Sequence, residues 1–179
     1  MNNNIKFPKV IFITDFDYSD IINECADGLP IFDDGRIDFS TAKIIPVVNI
    51  ILAYEDEILI MKRTSKVLTN KNMWDCIGGY YDEIIPPEKK ALKEVIEETG
   101  ISHSNILSTN VGKIFNIIDK NPARRWIVFP IMFTLKDKID PKLDWEHSDF
   151  KWIKKNRIQG FAQSKKVRNV LYHCTIVGN

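Results

Sequence analysis

The stretch PPEKKALKEVIEETG, residues 86–100, leaves little choice of local structure. Pro87 suits the first position of a helix, and Pro86 drives Ile85 toward an extended conformation, so a helix cannot begin much earlier. Gly100 stands where a left-handed C-terminal cap belongs. The limits predict a helix over 87–99. Ala91, Leu92, Val95, Ile96 and Thr99 recur at steps of three and four, so that face is expected to pack on a core. Glu94, Glu97 and Glu98 lie together on a different face. Glu97 and Glu98 sit beside the negative end of the helix dipole, where cations are favoured. Lys90 and Lys93 precede Glu94 and Glu97 by four, the weaker orientation of such a pair. A solvated charged face is one reading. Carboxylates gathered for a divalent cation such as Mg²⁺, which takes oxygen ligands, is the reading the dipole argument favours.

The flanks of this helix are strand-like. KIIPVVNIILAY and EILIMKR are β-branched and aliphatic runs around the turn EDE, which predicts a hairpin. A polar loop and the buried-looking MWDCIGG follow. Beyond the helix, VGKIFNII and RWIVFPIMFTL read as strands around the turn DKNPAR. DFKWI reads as a last strand and AQSKKVRNVLYHC as a C-terminal helix. Strands on both sides of a central helix predict an α/β sandwich around a mixed sheet. Residues 1–40 read as an N-terminal extension, too small for a core of its own, before a main domain over 41–179. In the extension KVIFIT is a candidate strand, and DYSDIINECADG a candidate helix capped by Ser19 and ended by Gly28.

At 179 residues the chain has the length of one ordinary domain. A formal net charge of +1 gives no support to a nucleic-acid or membrane-surface role. Cys25, Cys76 and Cys174 are far apart and odd in number, which suits free thiols in a reducing cytoplasm better than disulfides or a zinc knuckle. IIPVVNIILAY is too short to span a bilayer, and the N-terminus has no signal-peptide pattern. A cytoplasmic protein is expected.

Residues 79–101 resemble the Nudix box: a glycine, five residues, a glutamate, seven residues, then R-E-U-x-E-E-x-G-U, with U a bulky aliphatic. Gly79 matches the leading glycine, Glu94-Val95 the E-U, Glu97-Glu98 the E-E, and Gly100-Ile101 the close. The resemblance extends more weakly from about Ile44 to Trp152. Two positions depart. Ile85 stands for the box glutamate and Lys93 for the box arginine, residues that in the family orient the acidic cluster. Asp82 or Glu83, just upstream, is the candidate replacement for the missing acid, and Lys is a point charge where Arg is a planar fork.

The resemblance implies a Nudix-type α/β/α sandwich and Mg²⁺-dependent hydrolysis, with Mn²⁺ as an alternative ion. The substrate class it implies is a nucleoside diphosphate linked to another moiety: a nucleotide sugar, a dinucleoside polyphosphate or a nucleoside triphosphate. It further implies metal binding at Gly79, Glu94, Glu97 and Glu98, joined by Glu146, which stands six residues before Trp152 in EHSDFKW. Glu97 or Glu146 is the implied proton acceptor. Arg63 and Lys62 at a strand end are the candidate phosphate contacts, and Trp126 with Tyr81 or its neighbour Tyr80 the candidate stacking surface. His147 reads as a structural or solvent-facing neighbour and Cys76 as a small buried hydrophobe. A small nucleotide-type substrate is the expected partner, with no nucleic acid or membrane; monomer and homodimer both stay open. Two other readings remain. One is a catalytically weakened nucleotide-sensing or binding module, supported by Ile85 and Lys93. The other is isopentenyl diphosphate isomerase, whose glycine-histidine turn is here Gly-Gly-Tyr.

Overall fold

The computed structural model describes residues 17–120, 123–160 and 165–175. Among them, helix α1 is Tyr18–Ala26, α2 Pro87–Thr99 and α3 Lys165–Thr175. The strands are β1 Ile44–Tyr54, β2 Glu57–Arg63, β3 Trp74–Asp75, β4 Ile77–Tyr80, β5 Ile106–Val111, β6 Phe115–Lys120, β7 Ala123–Leu135 and β8 His147–Lys154. They form a single mixed sheet, with helices flanking it. The candidate strand KVIFIT lies outside the described residues.

β1 is the spine. On one edge it runs parallel to β7 from Ile44↔Arg125 to Ala53↔Thr134. On the other it meets β4 over Val47–Ile50 and β2 at its tip, where Ala53 faces Ile58 across the predicted hairpin. A parallel pair needs a long crossover. The chain between β1 and β7 supplies it and contains α2. β2 carries β8 on its outer edge, with a register shift at Lys62/Arg63. Strand β1 is buried almost throughout, from Ile45 to Ala53, as expected of a strand covered on both faces.

Three local expectations need correction. Asp17 caps α1, its carboxylate accepting from the Ser19 N–H at 3.1 Å, so Ser19 is the capped residue. The expected strand 111–118 is two strands. A Cβ at Gly112 would lie 2.6 Å from the His173 carbonyl oxygen, so the chain turns there to pack on α3. β5, unanticipated, precedes that turn and pairs with the far half of β7, while β6 pairs with the near half. On α2 the buried residues are Lys90, Ala91, Val95, Glu98 and Thr99, whereas Ile96 is 45 % exposed. The inward arc is therefore rotated toward the Lys90–Glu94–Glu98 row.

The N-terminal residues share the main core: Ile21, Ile22, Ile37 and Phe39 are buried in the same cluster as the sheet residues. Tyr18 stacks on Tyr81, and the Ile37 N–H donates to the Asp82 carbonyl at 2.9 Å. Residues 32–37 are thereby laid beside the loop that leads from β4 into α2.

Gly100 caps α2 with φ 69°, its N–H donating to Ile96 O. A Cβ there meets only Lys142 Cβ, at 3.6 Å, so backbone strain alone opposes substitution. Gly100→Ala is expected to cost about 1 kcal/mol and lower Tm by about 2–4 °C, with Gly100→Asn losing less. Thermal melts of both variants check this; an unchanged Tm in the alanine variant would remove the cap from the account.

Candidate functional site

The site is built where β4 leads into α2. Gly78 and Gly79 lie within β4, opposite Asn49 and Val48 of β1, and not in a turn; they leave no room for side chains. A Cβ at Gly78 would lie 2.5 Å from Asn49 Oδ1 and 2.7 Å from Val48 O. At Gly79 it would fall on the carboxylate of Glu94. The second glycine is required because a helix carboxylate rests directly on the strand backbone.

Glu98, one helical turn further, is 4 % exposed. Its Oε1 accepts from the Gly78 N–H at 3.3 Å, and its Oε2 has no hydrogen-bond partner. Burial, and then the charges of Glu94 and Glu146, push its carboxyl well above the ordinary carboxylate range. The Glu94 carboxyl is also raised, chiefly by burial and against the pull of Lys90. His147, also buried, faces Glu98 with Nε2 3.7 Å from Oε2, while its Nδ1 lies 3.0 Å from Asp144 Oδ1. Burial lowers the imidazole pKa, against the pull of Asp144. The histidine is thus a buried neighbour of the acids and not a solvent-facing one.

Glu146 approaches from the loop before β8. Arg63, at the end of β2, holds it with Nη2 3.2 Å from Oε2 and anchors itself by donating Nε–H to Thr69 O at 3.1 Å. Glu97 is exposed, and among the described residues no hydrogen bond or ion pair engages its carboxylate. Glu94, Glu97, Glu146, Gly79 and Arg63 all line one cleft of about 1180 Å³.

Of the two departing positions, Lys93 finds an acidic partner nearby. Lys93 pairs with Glu83, two residues before the position of the missing glutamate, and this contact holds the Glu83 carboxyl below its ordinary range. Lys90 then ties Asp82 and Glu94 together. Lys93 thus meets an acid upstream of Ile85.

The cleft has an aromatic side. Tyr80 and Trp126 lie nearly parallel, 12° apart with centroids at 6.5 Å, and the Trp126 indole donates to Asp119 Oδ2 at 2.7 Å. Val47 and Val128 line the cleft between the strands that carry them. Two expected contacts are not there. Tyr81 is fully buried, its hydroxyl donating to Ile85 O and its ring set edge-on to Phe129, because the residue after Tyr80 points to the opposite face. Lys62 does not line the cleft. Residues not anticipated do line it: Asp34 and Arg36 from the N-terminal segment, Asp119, and Lys166 from α3, which pairs with Asp75 at 3.0 Å. None of these carries a sequence signal beyond being polar.

No trio of His, Cys, Asp or Glu converges as ligands on one point among the described residues. The donor chemistry nevertheless fits a hard divalent cation: every candidate ligand offers oxygen, and Glu98 Oε2 is buried with nothing bonded to it.

Strand glycines thus set helix carboxylates beside an open cleft on a mixed sheet. The NUDIX domain model matches residues 43–173, and the chain belongs to the Nudix family. Solved structures agree in fold. The MutT protein of Methanosarcina mazei Go1 superposes with a TM-score of 0.60 at 23 % identity, covering 72 % of this chain and 91 % of that one. The NUDIX domain of Shewanella oneidensis NrtR, complexed with ADP ribose, gives 0.60 at 14 %, covering 75 % and 88 %. A C. elegans Ap4A hydrolase binary complex gives 0.55 at 14 %, covering 72 % and 93 %. No curated protein sequence matches significantly. Among the described residues, no helix is long and apolar enough to cross a membrane.

A carboxyl whose pKa is raised by folding holds its proton more tightly in the folded state. The metal-free protein therefore loses stability as pH rises from the ordinary value of 4.5 through the raised one. Glu98→Gln removes that loss. It is expected to raise the metal-free Tm at pH 8 by a few degrees, about 1 kcal/mol, with the gain shrinking toward pH 5, and to abolish most turnover. Melts at both pH values check the sign; a lower Tm than wild type at pH 8 would contradict it.

Proposed function

We propose that the protein is a Mg²⁺-dependent hydrolase that cuts a phosphoanhydride bond in a nucleoside diphosphate linked to another moiety. The observation that carries this reading is the buried, unpartnered Glu98 oxygen beside Glu94, whose carboxylate rests on Gly79. Glu94 and Glu98 would hold the ion, with Glu97, Glu146 and the Gly79 carbonyl at the same end of the cleft. When bound, Mg²⁺ would neutralise the diphosphate and activate water for in-line attack. Mn²⁺, with the same preference for oxygen, is the natural substitute.

The chain's own residues divide the remaining work. Glu97 is the proton acceptor, because it faces the cleft with its carboxylate engaged by no cation. Arg63 keeps Glu146 in place and leaves a guanidinium edge at the cleft for a phosphate oxygen. Tyr80 and Trp126 offer π-faces for a base, and stacking tolerates any base, so a nucleotide is supported without naming one. The Ap4A in the name of one similar hydrolase and the ADP ribose complexed with another similar domain are of the same nucleotide type.

A phosphate-release screen over nucleotide sugars, dinucleoside polyphosphates and nucleoside triphosphates, with Mg²⁺ and with chelator, tests the reading. Hydrolysis of one class in Mg²⁺ and none in chelator is expected; a folded protein inert toward all three would contradict it. With the substrate in hand, Trp126→Ala should raise KM about tenfold with kcat nearly kept, the loss of one stacked base. Glu97→Gln should lower kcat by about a hundredfold or more with KM nearly kept. The reverse pattern would exchange the two assignments.

A further inference from the structure

Lys90 sits on the inward arc of α2, beside Ala91, and only 5 % of it is exposed. Taking an ammonium out of water costs several kcal/mol unless close acids repay it. Here they do. Its Nζ lies 2.7 Å from Asp82 Oδ1 and 2.8 Å from Glu94 Oε1, with Glu83 Oε1 at 3.6 Å. The three acids are not equally dependent on it. Asp82 also has Arg36 at 3.6 Å, and Glu83 also has Lys93. Among the described residues Glu94 is ion-paired to Lys90 alone.

Glu94 is also the carboxylate pressed against Gly79. One of its oxygens is thus engaged by a cation that belongs to the same helix, four residues earlier, and cannot diffuse away. We propose that Lys90 is a tethered counter-ion of the divalent-cation site: it holds Glu94 against Gly79 and shares that carboxylate with the incoming ion. The proposal rests on the metal-dependent reading above. Its consequence is that Lys90 weakens cation binding while stabilising the metal-free site. A purely structural ion pair would do only the second. Lys90 is accordingly a positioning residue, acting through Glu94 and not on substrate.

The test uses Mn²⁺ as probe, with free Mn²⁺ followed by electron paramagnetic resonance and with thermal melts in the presence and absence of the ion. Wild type, Lys90→Met and Lys90→Gln are compared. Both variants are expected to melt lower than wild type without metal and to gain more from Mn²⁺. They should also bind Mn²⁺ about tenfold more tightly, as removal of one nearby positive charge predicts. In the Lys90→Met, Glu94→Gln double variant the tightening should vanish, because both changes act through one carboxylate. A variant that folds only with Mn²⁺ present also supports the proposal, since the ion has then replaced the ammonium. Unchanged or weaker Mn²⁺ binding in a folded variant overturns it while leaving the metal-dependent reading intact. Failure of both variants to fold in either condition makes Lys90 a structural pair and overturns it too. Wild type that binds no Mn²⁺ overturns this proposal and the metal-dependent reading together.

Discussion

A carboxylate taken out of water needs partners for both oxygens, and Glu98 has one oxygen on the Gly78 N–H and the other on nothing. The cost is of order 1–3 kcal/mol or more for a charged group, large against the stability of a single domain. Much of the local architecture makes sense as a response to this charge and to that of its neighbours. Arg63 is spent on Glu146, Lys90 on Glu94 and Asp82, Lys93 on Glu83. Glu98 alone, deepest of the group, is left with a buried histidine whose facing nitrogen is equally without a hydrogen bond. Glu97 is left to solvent, and a network that pairs the other acids but not the innermost one suits a site for an additional cation.

Rigidity comes from the sheet. β1 has partners along both edges, and β4 is fixed to it over four residue pairs that include Gly78 and Gly79. α2 therefore lies against a strand whose position is set by the parallel β1–β7 pairing. The glycines bring helix carboxylate and strand backbone to contact distance. Other cleft-lining residues come from several elements: Arg63 at a strand end, Trp126 on β7, Arg36 from the N-terminal segment and Lys166 from α3. Arg36 lies before the region matched by the family model, so part of the cleft wall comes from outside that region.

The limits of α2 were legible because Pro87 and Gly100 act locally, through fixed φ and a left-handed cap, whatever the tertiary context. The acidic row was legible for a similar reason, being out of place at the negative end of a helix dipole. Lys90 was not, because helical periodicity assigns any lysine to solvent and only tertiary pairing can bury one. β5 was hidden by its edge position: Ser108, Thr109 and Leu107 are exposed, so no alternation marks it. Tyr80 and Tyr81 show how narrow the margin can be. Adjacent residues on a strand point to opposite faces, and nothing in GGYY says which tyrosine reaches the cleft. The Lys93–Glu83 pair lay between these extremes: the acid was visible upstream, and its pairing needed the loop's path.

On the reading proposed above, the carboxylates around Gly78 and Gly79 of β4 form one divalent-cation site. Anomalous diffraction from crystals grown with Mn²⁺ tests it most directly, since the ion's position is then seen without reference to turnover. The account predicts a peak at bonding distance from Glu98 Oε2 and from a Glu94 oxygen, within reach of Glu97 and Glu146. A peak elsewhere in the cleft that touches neither Glu94 nor Glu98, or no peak at saturating Mn²⁺, would contradict it.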